Sequence, residues 1–220
     1  MRYRKFSPQR SLSLSGQFVG FLRNAILEGQ FPAGVRLVEN ELQRKYGISR
    51  APIREAFRIL EKERLVVTIP RKGTFIRKVT KKDVDENFPL RAILEGLAAR
   101  MAVPNLKQHD FNKLKVLLDR MIEAAEKNHV KCYHKYHTEF HNTFINRCNN
   151  ETLVGILDDL RLQAIWFRFS YLKVLKSSRY VIDVHKKILD HFMKRDADAT
   201  EALVKDHILT AYKTFRENIQ

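Results

Sequence analysis

Four histidines in the second half of the sequence have the residue type and spacing that metal binding requires. His137 and His141 are four residues apart, so on a helix their imidazoles lie one turn apart on one face, a common chelating spacing. His185 and His207 each lie on the apolar stripe of a predicted helix and should face a protein interior. Burying four imidazoles without partners is costly, and a shared divalent metal ion removes that cost. Spacing alone leaves two interpretations open: a metal site, or four structural histidines with other hydrogen-bond partners.

Three arginines in the first third of the sequence form a second group with possible binding chemistry. Arg50, Arg54 and Arg58 recur every four residues, so they share one face of a helix, opposite the apolar residues at positions 53, 57 and 60. A guanidinium group matches the acceptors of guanine and of phosphate. The alternative is a solvated basic helix surface, but the elements around these arginines favour DNA reading.

These surrounding elements predict a winged helix-turn-helix. Apolar positions of helical period stop at Gly29, a second helix fits residues 39–46, and a third follows Ser49 as its N-cap. Two β-rich runs, residues 66–69 and 74–76, then form a hairpin. Three helices, with a tight turn before the third and a hairpin after it, are typical of this DNA-binding motif.

The order of the elements also predicts the DNA contacts. In this motif the N-terminus of the third helix enters the major groove, which places Arg50 and Ala51 there. Arg71, Lys72 and Gly73 form the tip of the hairpin, where basic side chains and a bare backbone suit a minor groove or a phosphate.

The distribution of charge supports a polyanionic partner. The formal net charge is +16, and residues 1–80 alone carry 17 Lys and Arg against 6 Asp and Glu. The positive field therefore belongs mainly to the region of the predicted winged helix, as expected of a DNA-binding module.

A second, purely helical region follows the predicted wing, beginning at a capping box over Thr80–Asp83. Its predicted helices span residues 83–103, 111–128, 131–148, 151–172, 178–196 and 198–218. Their predicted core stripes include Leu90, Ile93, Leu94, Leu97 and Met101, and later Leu153, Ile156, Leu157 and Leu160. The fold class is therefore mainly α, with a winged helix-turn-helix domain over residues 1–78 and an antiparallel six-helix bundle over residues 79–220.

Several classes of protein do not fit the sequence. No apolar run approaches the about 18 residues of a membrane span, and the first residues lack the apolar core of a secretory signal. Cys132 and Cys148 fit reduced thiols, so we expect a cytoplasmic protein that does not contact a membrane. The enzymatic alternative is a metal-dependent hydrolase, but no HExxH pattern is present, and the His-Asp order of such bundles is reversed at Asp206-His207. We therefore expect a protein that is not an enzyme.

The first region resembles the winged helix of the GntR family. The resemblance covers residues 14–76 and rests on Leu22-x-x-x-Ile26-x-x-Gly29, Pro32-x-Gly34-x-x-Leu37, Glu41-Leu42 and Ile48-Ser49-Arg50-x-Pro52-Ile53-Arg54-Glu55-Ala56-x-x-x-Leu60. It implies a homodimeric transcriptional regulator that binds a palindromic operator in double-stranded DNA. Arg50 and Arg54, with the adjacent Ser49, would then contact bases or phosphates, and Gly73 would lie at the wing tip. Some members contact DNA with an arginine where this sequence has Asn40, so we expect a weaker or different contact there.

The second region is similar to the FCD domain, the ligand-binding domain of the FadR-like branch of the GntR family. The matching pieces within residues 83–220 are Arg91-x-x-x-Glu95, Phe140-His141, Asn150, His185 and His207. Metal-binding members hold the ion with an Asp four residues before the first His, that His, and two later His. The implied ligands here are His137, His141, His185 and His207. Since His137 stands at the Asp position, the site favours Zn, Ni or Co over Mn, Mg or Ca. His134, one turn before His137, is an alternate ligand.

The same resemblance implies a small organic acid as effector, bound beside the metal. Arg91 then faces a carboxylate of the effector, Asn150 orients it, and Arg161 is a further candidate. The function we expect is a sequence-specific transcriptional repressor controlled by a small carboxylate. In the alternative the metal ion is itself the signal, which requires the ion to dissociate at cytoplasmic concentrations.

Overall fold

Helices dominate the protein, and the computed structural model shows where each begins and ends. It describes the backbone of residues 14–170 and 178–219, and the side chains of residues 14–163, 179–217 and 219. These residues form two units, residues 14–80 with 162–170 and residues 81–161 with 178–219.

The first unit is a winged helix-turn-helix, as the sequence predicts. Its elements are α1 (Leu14–Leu27), β1 (Arg36–Leu37), α2 (Glu39–Tyr46), α3 (Arg50–Lys62), β2 (Val66–Ile69) and β3 (Gly73–Ile76). α1 packs against α3, and the fully buried side chains of these two helices include Phe18, Leu22, Ile26, Ile53 and Leu60. This core holds α3 by its apolar face, which leaves its arginine face outward.

The turn before α3 is tight because Gly47 adopts a left-handed conformation. Gly47 has φ 68° and its N–H donates to the carbonyl of Gln43, which ends α2. Ser49 then takes the predicted N-cap position of α3 with extended backbone, but its side chain makes no capping hydrogen bond. The Ser49 side chain is therefore exposed, and its hydroxyl does not cap α3.

The wing contains a third strand that the sequence did not predict. β2 pairs antiparallel with β3, with Val66 opposite Ile76, and β1 pairs with the other edge of β3, with Arg36 opposite Phe75. The strand order is β1-β3-β2. β1 has only two residues, too few to show the alternation of apolar and polar residues by which a strand is recognised. Its presence brings Arg36 to the side of the wing.

The second unit contains the six predicted helices, except for residues 162–170 at the end of the fourth, which belong to the first unit. The six helices are α4 (Lys81–Ala102), α5 (Gln108–Glu126), α6 (Val130–Ile145), α7 (Glu151–Ser170), α8 (Ser178–Met193) and α9 (Ala197–Asn218). The predicted end of the fourth of these helices, at residue 172, lies outside the described residues. Asn128 and Asn149, at the turns before α6 and α7, have positive φ of 53° and 55°, a conformation that asparagine tolerates better than most residues.

The apolar stripe predicted for α4 is only partly correct: Leu94 and Met101 pack against the core, whereas its other three members do not. Exposed members of the predicted stripes are Leu90 (53%), Ile93 (56%) and Leu97 (37%) in α4 and Ile156 (47%) in α7. The buried residues of α4 are mostly small, polar or charged: Asp83, Val84, Asn87, Phe88, Arg91, Ala92, Glu95, Gly96, Ala98, Ala99 and Ala102. α9 packs so closely that a Cβ on Gly96 would lie 3.1 Å from the backbone oxygen of Glu201. A prediction from hydrophobicity alone places the larger apolar residues in the core. Close packing of two helices instead requires small residues at their contact, and a charged pair can be buried there when its two side chains form hydrogen bonds with each other.

Candidate functional site

The arginines of α3 lie on an exposed surface of the first unit. Arg50 begins the helix, Arg54 and Arg58 follow at one-turn intervals, and Ala51 is exposed beside Arg50. Arg58 Nη1 donates to the carboxylate of Glu55 on the same helix at 3.2 Å. The surface therefore presents three guanidinium groups in a row, with a small side chain at the N-terminus of the helix.

Side chains of α2 hold two of these arginines. Arg50 Nη2 donates to Asn40 Oδ1 at 3.1 Å, so Asn40 contacts the arginine of the neighbouring helix. Arg54 Nε donates to both carboxylate oxygens of Glu39 at 3.0 and 3.1 Å. Sequence reasoning had not identified Glu39. Its position at the start of the helix before the arginine-bearing helix was the available signal.

The wing adds further cations around a bare stretch of backbone. Arg71 and Lys72 are exposed at its tip, with Arg71 at φ 63° and Gly73 at φ 106°. A Cβ on Gly73 would lie 2.8 Å from Arg36 Nε, so the Arg36 guanidinium lies directly over this glycine. Residues of β1, α2, α3, β2 and β3 line a cavity of about 400 Å³ beside it. Arg36 was missed by sequence reasoning because β1 was missed.

The four histidines meet in the interior of the second unit. α6 supplies His137 and His141, α8 supplies His185 and α9 supplies His207, and none is more than 5% exposed. Their potential ligand atoms all lie within 4.8 Å of one another, which places them around one point. His137 and His141 stack with ring centroids 4.7 Å apart, as their spacing predicts. His134 is also buried, but within the described residues it does not belong to this group.

Hydrogen bonds determine which nitrogen of two histidines faces the centre of this group. His141 Nδ1 lies 2.7 Å from Glu95 Oε2, and His185 Nδ1 donates to the carbonyl of Val181 at 2.7 Å. With Nδ1 as donor in both rings, their Nε2 atoms face each other at 3.1 Å. Two lone pairs at this distance repel, so a cation, either a proton or a metal ion, belongs between them.

A buried charged group adjoins His141. Arg91 Nε donates to Glu95 Oε1 at 2.8 Å, and Arg161 Nε lies 3.8 Å from the same oxygen. Burial opposes ionisation of Glu95, but the positive charges of Arg91, His141 and Arg161 outweigh it and hold the pKa of this carboxyl well below its usual range. Arg91 Nη1 is buried and has no hydrogen-bond partner within the described residues.

The other two predicted effector residues have structural contacts. Arg161 is buried, its Nη1 donates to Asn142 Oδ1, and its Nη2 donates to the Thr138 carbonyl at 3.1 Å. Asn150 lies at the start of α7, where its Oδ1 accepts from the N–H of Leu153 at 3.0 Å. This contact gives Asn150 the role of a helix cap.

Within the described residues, no helix combines the length and apolarity needed to cross a membrane.

Comparison with known proteins identifies both units. Residues 14–76 match the model of the bacterial regulatory proteins of the gntR family, and residues 86–210 match that of the FCD domain. The chain is 27% identical over 209 residues to the uncharacterized HTH-type transcriptional regulator YdhC of Bacillus subtilis, covering 93% of this chain and 90% of the relative. It is 26% identical over 200 residues to the probable D-xylose utilization operon transcriptional repressor of Paenarthrobacter nicotinovorans, covering 89% and 86%.

A solved structure agrees in fold. E. coli McbR/YncC superposes with a TM-score of 0.81 at 22% identity, covering 94% of this chain and 98% of that one. The relatives named above are transcriptional regulators and not enzymes. The chain therefore belongs to the GntR family of bacterial transcriptional regulators, in the group whose C-terminal domain is an FCD domain.

Proposed function

We propose that this regulator is a homodimeric repressor whose operator binding is controlled by a small carboxylate held beside a divalent transition metal ion. Membership of the GntR family establishes a DNA-binding transcriptional regulator, and a relative named as a repressor supports repression. The observation that carries the ligand part of the proposal is the buried group of four histidines, joined to the buried Arg91 guanidinium through Glu95.

The arginine surface of α3 and the wing supports operator reading. The N-terminus of α3 would enter the major groove with Arg50, while the wing would reach a minor groove or a phosphate with Arg71 beside Gly73. Arg54 is held by the half-buried Glu39 but is itself 64% exposed, so water and salt weaken this pair. A DNA phosphate or a guanine can therefore replace Glu39 as the partner of Arg54.

The donor set of the histidine group fits a transition metal ion. Imidazole nitrogens suit Zn, Ni and Co, whereas Mg, Ca and Mn prefer oxygen ligands. The ion would be held by His137, His141, His185 and His207. When bound, it supplies a buried positive charge that can accept a carboxylate oxygen as a further ligand. Among these ions, we expect zinc to be the one bound.

A carboxylate effector fits the charge and the hydrogen bonding around Arg91. The buried Nη1 of Arg91 is costly to leave without an acceptor, and a ligand carboxylate provides one. Glu95 contacts Arg91 and lies near Arg161, which Asp158 also stabilises, and within the described residues no second carboxylate is paired with Arg91. An anion beside Arg91 would supply the missing acceptor and add to the negative charge around this guanidinium. If the metal ion alone were the signal, this buried donor would have no use, so we favour the carboxylate.

An exposed apolar row on α4 supports the homodimer. Leu90, Ile93 and Leu97 follow one another at three and four residues, so they form a row along one side of the helix. A contiguous exposed apolar row on a protein of net charge +16 is typical of an interface. A second copy of the chain, related by two-fold symmetry, would cover the row and supply the second DNA-reading unit that a palindrome requires.

The ligand part of the proposal is tested by metal analysis together with a thermal-shift screen. We expect purified protein to carry close to one zinc or nickel ion per chain. Small carboxylates are then screened with zinc-loaded and metal-stripped protein, because a ligand of the folded state raises the melting temperature by mass action. A carboxylate that stabilises only the zinc-loaded form supports the proposal. Absence of metal even after reconstitution would leave the histidines as structural residues.

A further inference from the structure

We propose that Glu95 is a positioning residue for the metal site: its carboxylate holds His141 so that Nε2 points at the ion, and Arg91 holds the carboxylate. The inference rests on the metal site proposed above. Glu95 lies on α4, outside the three helices that supply the histidines, so the ligand spacing does not point to it.

Each oxygen of the Glu95 carboxylate has its own partner. Oε2 lies 2.7 Å from His141 Nδ1, and Oε1 accepts from Arg91 Nε at 2.8 Å. Glu95 is 0% exposed, so water does not compete for either oxygen. The carboxylate cannot rotate toward one partner without losing the other, and the imidazole of His141 is therefore fixed in orientation.

The packing of α4 fixes the backbone from which Glu95 extends. The next residue is Gly96, where a Cβ would lie 3.1 Å from the backbone oxygen of Glu201 on α9. The two helices are therefore about as close as their backbones allow, and α9 also carries His207. Glu95 thus reaches the histidine group from a helix packed directly against one that supplies a ligand.

A carboxylate on Nδ1 has two consequences for metal binding at Nε2. It selects the tautomer in which Nε2 carries the lone pair and makes the imidazole a stronger donor to the ion. Its negative charge also offsets part of the charge of the ion in a buried setting, where electrostatic interactions are strong. Loss of a partner of this kind costs about 10- to 100-fold in metal affinity.

Glutamine at position 95 tests the role with little change of shape. A glutamine amide has one acceptor and one donor end, whereas Arg91 and His141 both present donors, so Glu95→Gln can satisfy only one of them. Because this variant leaves Arg91 as a poorly paired buried cation, it can fail to fold. The double variant Arg91→Met with Glu95→Gln removes the charged pair together. Its glutamine can still accept from His141, so the orientation is kept and the charge is lost.

The experiment is zinc and cobalt binding by the full chain. Zinc affinity is measured by competition with a chromophoric chelator, and the ligand field is followed in the absorption spectrum of the Co²⁺-loaded protein. We expect about 100-fold weaker zinc binding for Glu95→Gln and about 10-fold for the double variant, both with shifted Co²⁺ bands. The matched control is Asp110→Asn, which removes another buried carboxylate, ion-paired with Arg147 at 3.0 Å. It should lower the melting temperature and leave zinc affinity unchanged.

Three outcomes would overturn the inference, and they are distinguishable. Folded variants that bind zinc as tightly as wild type, with an unchanged Co²⁺ spectrum, would remove the role of Glu95 and leave the metal site standing. An equal loss of affinity in Asp110→Asn would assign the effect to general instability. A wild-type chain that binds neither ion would overturn the metal site itself, and this inference with it.

Discussion

Arginine and carboxylate side chains pair in both units of the protein, in opposite surroundings. In the first unit Arg54 bonds Glu39 on the surface, with side chains 64% and 30% exposed. In the second unit Arg91 bonds Glu95 at 2.8 Å, with side chains 2% and 0% exposed. The exposed pair can exchange its carboxylate for a phosphate, because water and salt already compete for both groups. The buried pair cannot be opened cheaply, because an unpaired buried charge is strongly unfavourable.

The difference shows how the same residue types can serve two purposes. Exposed guanidinium groups stay available to a polyanion and contribute little to folding. Buried charged groups hold neighbouring side chains in fixed positions, as a preorganised ligand site requires. Substitutions at either pair, at the histidines or between the packed helices test this contrast.

Removal of one histidine should disrupt the buried site most severely. We expect His185→Ala to weaken zinc binding by more than about 100-fold, because it removes a ligand itself and not only a partner of one. The melting temperature in zinc should fall toward that of the metal-free protein, since the ion no longer stabilises the folded state. Elemental analysis and calorimetry measure both effects. His109→Ala, at an exposed histidine of the same unit, is the control and should keep its metal.

Removal of one exposed arginine should weaken operator binding without affecting the fold. Arg50→Ala is expected to cost about 1–3 kcal/mol per half-site if Arg50 reads a guanine. Operator affinity should also fall steeply with salt, because the basic units neutralise several phosphates. Fluorescence anisotropy across a salt series measures both quantities. Arg120→Ala in the second unit should bind as wild type, and equal binding by Arg50→Ala would contradict the proposed reading surface.

A substitution that adds a methyl group between α4 and α9 tests how tightly these helices pack beside the buried site. Gly96→Ala places a Cβ 3.1 Å from the Glu201 backbone oxygen, so we expect a loss of about 1–3 kcal/mol in unfolding free energy from overpacking. Gly155→Ala in α7 is the matched control, since nothing lies within 4 Å of its Cβ. It should stabilise the protein, because alanine is the better helix former. Chemical denaturation of both variants measures these changes. An unfolding free energy of Gly96→Ala equal to that of wild type would show that α4 and α9 have room to separate.

The smallest effect is expected at the exposed pair. Glu39→Gln removes the carboxylate that holds Arg54, and we expect no resolvable change in melting temperature. Operator affinity should rise slightly, because one acidic competitor for Arg54 is gone. A large loss of stability in Glu39→Gln would remove the contrast between the two units.

The sequence predicted the parts of the fold that depend on local periodicity. The helices, the hairpin and the inward direction of the four histidines follow from spacing within single elements. Their meeting in one group was implied by the resemblance to the FCD domain, since three different helices supply them. β1 was not predicted because its two residues are too few to show the alternating apolar and polar pattern of a strand. The position of Arg36 beside the wing was therefore not predicted either. Leu90, Ile93 and Leu97 were wrongly placed inward, because α4 packs closely against α9 through small residues such as Gly96, whereas Leu94 and Met101 do pack against the core.

Contacts between residues far apart in the sequence were also not predicted. The spacing of Arg91 and Glu95 shows that they can pair along a helix, but not that this pair faces the interior. Glu95 meets His141 across 46 residues of sequence, a separation at which no local pattern gives a signal. Glu39 was missed for the same reason, since its contact with Arg54 joins two helices through a turn.

Control by a carboxylate is tested most directly by measuring operator affinity while the carboxylate selected by thermal shift is titrated. Wild type and Arg91→Ala are compared, both loaded with zinc. For wild type we predict a change in DNA affinity of about 5- to 150-fold at saturating carboxylate, which corresponds to about 1–3 kcal/mol of coupling. Arg91→Ala should not respond to its addition. Because this variant also removes one partner of the buried Glu95 carboxylate, its zinc content and melting temperature are checked first, and its carboxylate-free operator affinity serves as its own baseline. A variant that responds like wild type would place the carboxylate anchor elsewhere. Wild-type affinity that stays constant at saturating carboxylate would contradict control of this regulator by such a ligand.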